Sequence, residues 1–126
     1  MLEIEIFIDG DSKRIGVISK NGKSECRRFI ESLERKVQNR LMAVMGNLAN
    51  SGIIGNIELF RHLSGKIYEI KASNIRIYCF FFQDLVICTH GCKKPGKKKL
   101  KVEIKKAKKL MNELLEQGEG ENESQN

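Results

Sequence analysis

The segment from Gly65 to Lys99 constrains the fold of this chain more than any other part of the sequence. It contains three runs of apolar and β-branched residues, at about Lys66–Lys71, Ile75–Phe82 and Leu85–His90. The gaps between the runs, Ala72-Ser73-Asn74 and Gln83-Asp84, are short and consist largely of turn-forming residues. Because gaps of this length join antiparallel strands, the segment predicts a three-stranded antiparallel sheet with a buried centre.

The residues before this segment predict another strand and one or two helices. Leu2–Ile8 alternates apolar and acidic residues, as a half-buried strand does. Lys13–Lys20 lies between two turn signals, and we expect a loop or a weak strand there. Ser24 is a suitable N-cap for one long amphipathic helix or two consecutive ones that end near Gly52.

The remaining residues are assigned to connectors, a last helix and a tail. Residues 53–64 are expected to form a connector, and Gly91–Lys99 a loop. Leu100–Gln117 carries apolar residues at helical spacing and predicts a C-terminal helix. Residues 118–126 are acidic and polar, and we expect a disordered tail.

Composition limits the class of protein and its partners. A chain of 126 residues with 40% hydrophobic residues is long enough for one folded domain, predicted at residues 1–117. The net charge of +7 favours an acidic partner such as nucleic acid, although a generally solvated basic surface is the alternative. No signal sequence and no apolar run of ~20 residues is recognised, which predicts a cytoplasmic protein that does not enter a membrane.

The four cysteines do not predict a cofactor site. Cys26, Cys79, Cys88 and Cys92 lack paired CxxC spacing, and reduced thiols are expected for a cytoplasmic chain. Cys88, His90 and Cys92 would offer three ligands if they lay on one side of a strand. Zinc sites usually combine two separated ligand pairs, so neither a metal nor another cofactor is expected.

The first hairpin predicts where its charged side chains lie. If Ala72 to Ile75 forms the turn, Lys71 faces Arg76 across the strands. Period-two alternation then places Glu69 and Tyr78 on the same face. A phosphodiester would relieve the repulsion between the two cations, and a guanidinium suits phosphate. The alternative role for Arg76 is a structural salt bridge with Glu69 or another carboxylate.

The lysines after the third run are the second group of candidates. Lys93 and Lys94 follow the predicted strand directly, whereas Lys97, Lys98 and Lys99 lie further into the predicted loop. Clustered lysines are candidates for proton transfer or charge stabilisation, and a solvated loop with non-specific attraction for phosphate is the alternative. His90 would exchange protons near neutral pH or serve as a partly buried hydrogen-bonding residue.

The succession of these motifs resembles the HigB-like branch of the RelE/ParE toxin superfamily, the toxins of type II toxin–antitoxin modules of bacteria and phages. The similarity extends from about Phe29 to Leu115 and rests on Leu63–Lys71, Ile75–Tyr78, Leu85–Lys94 and a C-terminal helix that contains Ala107. It implies a single RelE-like α+β domain. In that fold, N-terminal helices pack on one side of a small antiparallel twisted sheet, and a C-terminal helix follows.

The resemblance also implies a function and its residues. It implies a metal-independent endoribonuclease that cuts messenger RNA on the ribosome, with a HigA-like helix-turn-helix antitoxin as partner. Arg76 matches the family's strand arginine, Lys93 and Lys94 match its lysine pair, and Lys71 replaces a usual arginine. These four are the catalytic candidates, with Arg76 as the phosphate clamp. The RNA-binding candidates are Lys66, Tyr78, His90, Lys97, Lys98 and Lys99.

Two other functions stay open at this point. A ParE-like toxin would have the same fold and would inhibit gyrase without cutting RNA. A non-catalytic nucleic-acid-binding module would need only the basic residues. The lysine pair favours the ribonuclease over the ParE-like toxin.

Overall fold

The protein is described by a computed structural model that covers residues 1–52 and 58–125. Its elements in chain order are β1 (Leu2–Asp9), β2 (Arg14–Lys20), α1 (Glu25–Glu31), α2 (Arg35–Ser51), β3 (Phe60–Ser64), β4 (Ile67–Ala72), β5 (Ile75–Phe82), β6 (Leu85–Lys93) and α3 (Lys97–Gln125). Within these ranges, no helix combines the length and the apolar character needed to cross a membrane.

The strands form one mixed sheet in the order β1-β2-β6-β5-β4-β3. The β2–β6 pair is parallel and the other neighbouring pairs are antiparallel, which differs from the purely antiparallel sheet that was expected. Of the two alternatives expected at Lys13–Lys20, a loop or a weak strand, the structure has a strand at Arg14–Lys20, and this strand is not weak. β2 is a central strand whose residues from Ile15 to Ser19 are buried, because β1 and β6 flank it.

Two apolar cores cover the two faces of the sheet. One face packs against α1 and α2 through Ile77, Cys79 and Cys88, and we call it the α1/α2 face. The alternating residues Tyr78 and Phe80 face the other way and pack with Ala107 and Met111 of α3, on the α3 face. The sheet is therefore covered on both sides, and the α+β architecture with a C-terminal helix is confirmed as consistent with a RelE-like fold.

The N-terminal region forms two consecutive helices, which is one of the two predicted alternatives. The Ser24 hydroxyl accepts a hydrogen bond from the Arg27 backbone N–H at 3.1 Å, which is the predicted N-cap. α2 ends at Gly52, whose φ of +78° gives a left-handed C-cap that glycine adopts without strain.

The boundaries near α3 differ from the predictions. β6 continues to Lys93, and α3 begins at Lys97, so Lys97, Lys98 and Lys99 lie in the first turn of a helix and not in a loop. The backbone of α3 is helical to Gln125, beyond the predicted end at Gln117. The disordered tail at residues 118–126 stays a prediction. Of the expected connector, residues 60–64 form β3, and residues 53–57 lie outside the described ranges.

Close packing of α1 on β6 depends on the small size of Gly91. A Cβ atom at this position would lie 2.5 Å from Ile77 Cδ1 and 2.6 Å from Phe29 Cδ2. We predict that Gly91→Ala lowers the free energy of unfolding by about 1–3 kcal/mol, because the Phe29 ring must move. Gly96→Ala is the matched control, since no atom lies within 4 Å of its added Cβ. Chemical denaturation measures both, and equal stabilities would contradict the prediction.

Candidate functional site

The β4–β5 hairpin has the predicted register. Lys71 pairs with Arg76, and Glu69 pairs with Tyr78, so the four side chains share one face of the sheet. This is the α3 face, because Tyr78 lies in the core that contains Ala107. The short turn between the strands brings the two cations to one end of the sheet.

The lysine pair lies at the same end of the sheet as this turn. Lys93 pairs with Ile75, and the Lys94 backbone N–H donates a hydrogen bond to the Asn74 carbonyl at 2.6 Å. Since Ile75 belongs to the α1/α2 core, Lys93 lies on the α1/α2 face, whereas Lys71 lies on the α3 face. The lysine side chains therefore surround the end of the hairpin.

We call the lysines around the end of the hairpin, together with those in the first turn of α3, the basic end of the sheet. The first turn of α3 adds three more lysines to it. Burial raises the pKa of the Cys92 thiol, and the positive charge of Lys99 opposes this increase. α3 has no acidic residue in its first turn, so lysine charges and the positive end of the helix dipole add together. The members are Lys71, Lys93, Lys94, Lys97, Lys98 and Lys99, and all but the half-buried Lys71 are exposed.

The guanidinium group of Arg76 forms its contacts within the protein. Its side chain is 10% exposed, and its Nη1 donates to the carbonyls of Ser73 and Ile75 at 3.0 and 2.9 Å. Its Nε lies 3.8 Å from Glu69 Oε1, and the same oxygen lies 3.2 Å from Nη2 of Arg61. This geometry favours the alternative role of Arg76, a structural salt bridge that also fixes the hairpin turn.

His90 and Tyr78 are buried as well. The His90 imidazole lies between Thr89 Oγ1, 3.0 Å from Nδ1, and Glu103 Oε2, 2.8 Å from Nε2. Its ring centroid is 4.9 Å from that of Tyr78, whose hydroxyl is 3.4 Å from Cys92 Sγ. At 1% and 0% exposure, neither residue presents a surface to RNA in this conformation.

The pKa shifts in this cluster follow from burial. Desolvation lowers the pKa of His90, and the positive charge of Lys106 adds to this effect, while Glu103 opposes it. Desolvation also raises the pKa of Tyr78 far above its usual value. A neutral imidazole that donates its Nε2 proton to Glu103 leaves Nδ1 as an acceptor for the Thr89 hydroxyl, whose one proton is shared between this nitrogen and the Tyr78 carbonyl 3.3 Å away.

We expect the protein to lose stability as the pH falls below about 6.5, because unfolded His90 then binds a proton that the folded protein excludes. Below that value the unfolded state holds more protons, so protonation favours unfolding. Melting temperatures measured between about pH 7.5 and 5.5 should fall less steeply for His90→Gln than for the wild type. His62→Gln replaces an exposed histidine, and its melting temperature should depend on pH as steeply as that of the wild type. Equal slopes in both variants would contradict this prediction.

Lys66 lies at the other end of the sheet. It precedes Ile67, the first residue of β4, whereas Lys71 is near the last. Five residues of strand separate them by about 16 Å. The structure therefore does not bring Lys66 together with the basic end.

The possible metal ligands on β6 are also separated. A register shift between Tyr78 and Cys79 places Cys88 in the α1/α2 core, while His90 and Cys92 face α3. The described residues contain no group of three His, Cys, Asp or Glu side chains that would hold a metal ion. Cys79 and Cys88 are fully buried free thiols of the α1/α2 core.

Sequence reasoning missed Glu103 and Arg61, which are partners of the buried His90 and Glu69 side chains. Glu103 is the only acidic residue between Lys93 and Lys109, and this isolated acid among lysines is the signal that points to a specific hydrogen-bonding partner. Arg61 had no comparable signal, because β3 was assigned to a connector.

Comparison with known proteins gives one match. The model of the protein family described as "Phage derived protein Gp49-like" matches residues 28–112, which contain the second half of α1, all of α2, β3 to β6 and the first half of α3. No curated protein matches the chain. The matched range includes the basic end of the sheet, the Arg76–Glu69 ion pair and the His90–Glu103 hydrogen bond.

Proposed function

Because the chain belongs to the phage-derived Gp49-like family, a family of RelE/ParE-like toxins of toxin–antitoxin modules, we propose that it is a toxin that cuts messenger RNA on the ribosome. The single observation that supports the cutting activity best is the basic end of the sheet. There, Lys93 and Lys94 are exposed and fixed by strand pairing and by the hydrogen bond to Asn74. A rigid strand end aims side chains more accurately than a loop does.

The proposed reaction is transesterification within the RNA. The 2′-oxygen gives its proton to a base and attacks the adjacent phosphorus, and the 5′-oxygen leaves and receives a proton. The products are a 2′,3′-cyclic phosphate and a 5′-hydroxyl, and no metal is required. Negative charge grows on the phosphate oxygens during the attack, and correctly placed cations stabilise it.

We assign the roles by exposure. Lys93 and Lys94 stabilise the phosphate and transfer protons, while the half-buried Lys71 completes the phosphate site from the α3 face. Lys97, Lys98 and Lys99 attract the RNA backbone. Arg76 positions the hairpin through Glu69, and His90 positions α3 through Glu103. A HigA-like helix-turn-helix antitoxin is the proposed partner, as expected for the HigB-like branch.

Growth arrest after induced expression tests the toxin, and pulse labelling tests its target. We expect protein synthesis to stop first and DNA synthesis to continue. An early loss of DNA synthesis with translation intact would instead indicate a ParE-like gyrase inhibitor. Binding of RNA with neither effect would indicate the non-catalytic module.

A further inference from the structure

A cleft on the α1/α2 face is not used by the site described above. It has a volume of about 690 Å³ and opens to solvent between the β2–α1 turn and β6. Its lining comprises Lys20, Asn21, Lys23, Glu25, Arg28, Phe29 and Gly91. The cleft is thus built from the turn after β2, one side of α1 and the end of β6.

The cleft carries an excess of positive charge. Lys20, Lys23 and Arg28 are exposed, and none of them forms an ion pair with another residue that the structure describes. The only carboxylate in the lining belongs to Glu25, and it lies 2.7 Å from Nζ of Lys106. Three cations therefore face the cleft without a compensating charge, which favours an anionic occupant.

An aromatic ring lies beside these cations. Phe29 is half-buried, and the part of it that remains exposed lines the cleft. Gly91 permits this position, since a Cβ atom there would lie 2.6 and 2.8 Å from ring carbons of Phe29. An aromatic ring next to exposed cations is the combination that binds single-stranded nucleic acid, because the base stacks while the phosphate pairs with the cations. An acidic peptide would satisfy the charges, but its carboxylate side chains offer no aromatic ring to stack on Phe29.

The cleft is continuous with the basic end of the sheet. β2 and β6 are parallel, so Lys20 and Lys93 lie at the same end of their strands. Gly91 and Lys93 are two residues apart on β6 and pair with Ile77 and Ile75, which both belong to the α1/α2 core. The lining of the cleft is therefore roughly 7 Å along the strand from Lys93.

We propose that this cleft binds a nucleotide of the single-stranded RNA next to the phosphate at Lys93. The base stacks on Phe29, and the backbone phosphate pairs with Lys20, Lys23 and Arg28. This inference rests on the proposed ribonuclease function and adds to it a path for the RNA across the α1/α2 face. It also assigns a role to the exposed cations of the β2–α1 turn, which are not among the catalytic candidates.

The test measures the affinity of the full chain for a short fluorescent 2′-O-methyl RNA, which cannot be cleaved, over a series of salt concentrations. Lys23→Glu/Arg28→Glu should weaken binding at least tenfold and reduce the salt slope by about 1.4, because each phosphate contact to a single strand contributes about 0.7. Lys36→Glu/Arg40→Glu changes the net charge equally on the exposed side of α2 and should bind almost as the wild type does. Phe29→Leu should weaken binding roughly fivefold or more without changing the slope.

Lys20→Glu serves as a second variant if the double variant does not fold, as judged by circular dichroism. Equal RNA affinity and slope in the cleft variants and the α2 control would overturn the proposal. A cleft variant that loses affinity only for the antitoxin from the adjacent gene would overturn it as well, and would show a protein-binding site. If the wild type binds RNA through the cleft but leaves ribosome-bound message intact, the result supports the RNA-binding cleft and contradicts the proposed ribonuclease activity. If Lys23→Glu/Arg28→Glu binds RNA and cuts message normally, the result supports the ribonuclease activity and contradicts the RNA-binding cleft.

Discussion

Replacing Lys93 and Lys94 together with alanine is expected to abolish growth arrest without unfolding the protein. Both side chains are exposed and neither forms an ion pair among the residues that the structure describes, so their loss removes little stabilising contact. The hydrogen bond from Lys94 to Asn74 uses the backbone and survives the substitution. Only the charge presented to the substrate changes.

The expected loss of activity is large. Removing one group that stabilises the developing charge lowers the rate by roughly 10²–10³, and the effect of two adjacent groups is at least as great. Lys105→Ala/Lys109→Ala removes the same charge from an exposed part of α3 and should leave growth arrest intact. Colony counts after induction, with melting temperatures of both variants, measure the difference. Full toxicity of Lys93→Ala/Lys94→Ala would exclude these lysines from the chemistry.

Arg76→Ala is expected to lower the free energy of unfolding by about 3–5 kcal/mol. Glu69 is 2% exposed, and the substitution leaves its carboxylate with only the half-exposed Arg61 as an ionic partner. The carbonyls of Ser73 and Ile75 also lose the guanidinium that donates to them. Urea denaturation measures the loss.

A second variant separates charge from packing at this position. Glu69→Gln/Arg76→Met removes both buried charges, so it should be more stable than Arg76→Ala, because no buried charge is left unpaired and Arg61, which loses Glu69, is half exposed. If this double variant folds and still arrests growth, Arg76 acts only as a positioning residue. Wild-type stability of Arg76→Ala would contradict the structural role that its contacts indicate.

The register of the hairpin could be predicted because local chemistry determines it. The turn between β4 and β5 leaves one pairing that keeps the apolar residues on their faces, so Lys71 had to meet Arg76. The burial of Arg76 could not be deduced from this pairing. It depends on Glu69 and on Arg61 of β3, a strand that its short and polar sequence does not reveal.

The central position of β2 and the cleft could not be predicted, for a different reason. Arg14–Lys20 is short and begins and ends with charged residues, and its burial results from pairing with β1 and with the distant β6. Parallel pairing between segments far apart in sequence leaves no local signal. For the same reason, the proximity of Lys23 and Arg28 to Gly91 appears only in the folded chain.

The most direct test of the proposed ribonuclease is the fate of a defined message on bacterial ribosomes in a reconstituted translation reaction. The wild-type protein should cut the message only when ribosomes are present, and the fragments should carry a 2′,3′-cyclic phosphate and a 5′-hydroxyl. Lys93→Ala/Lys94→Ala should leave the message intact. A message that stays whole with the wild-type protein, in a reaction where translation also continues, would contradict the account.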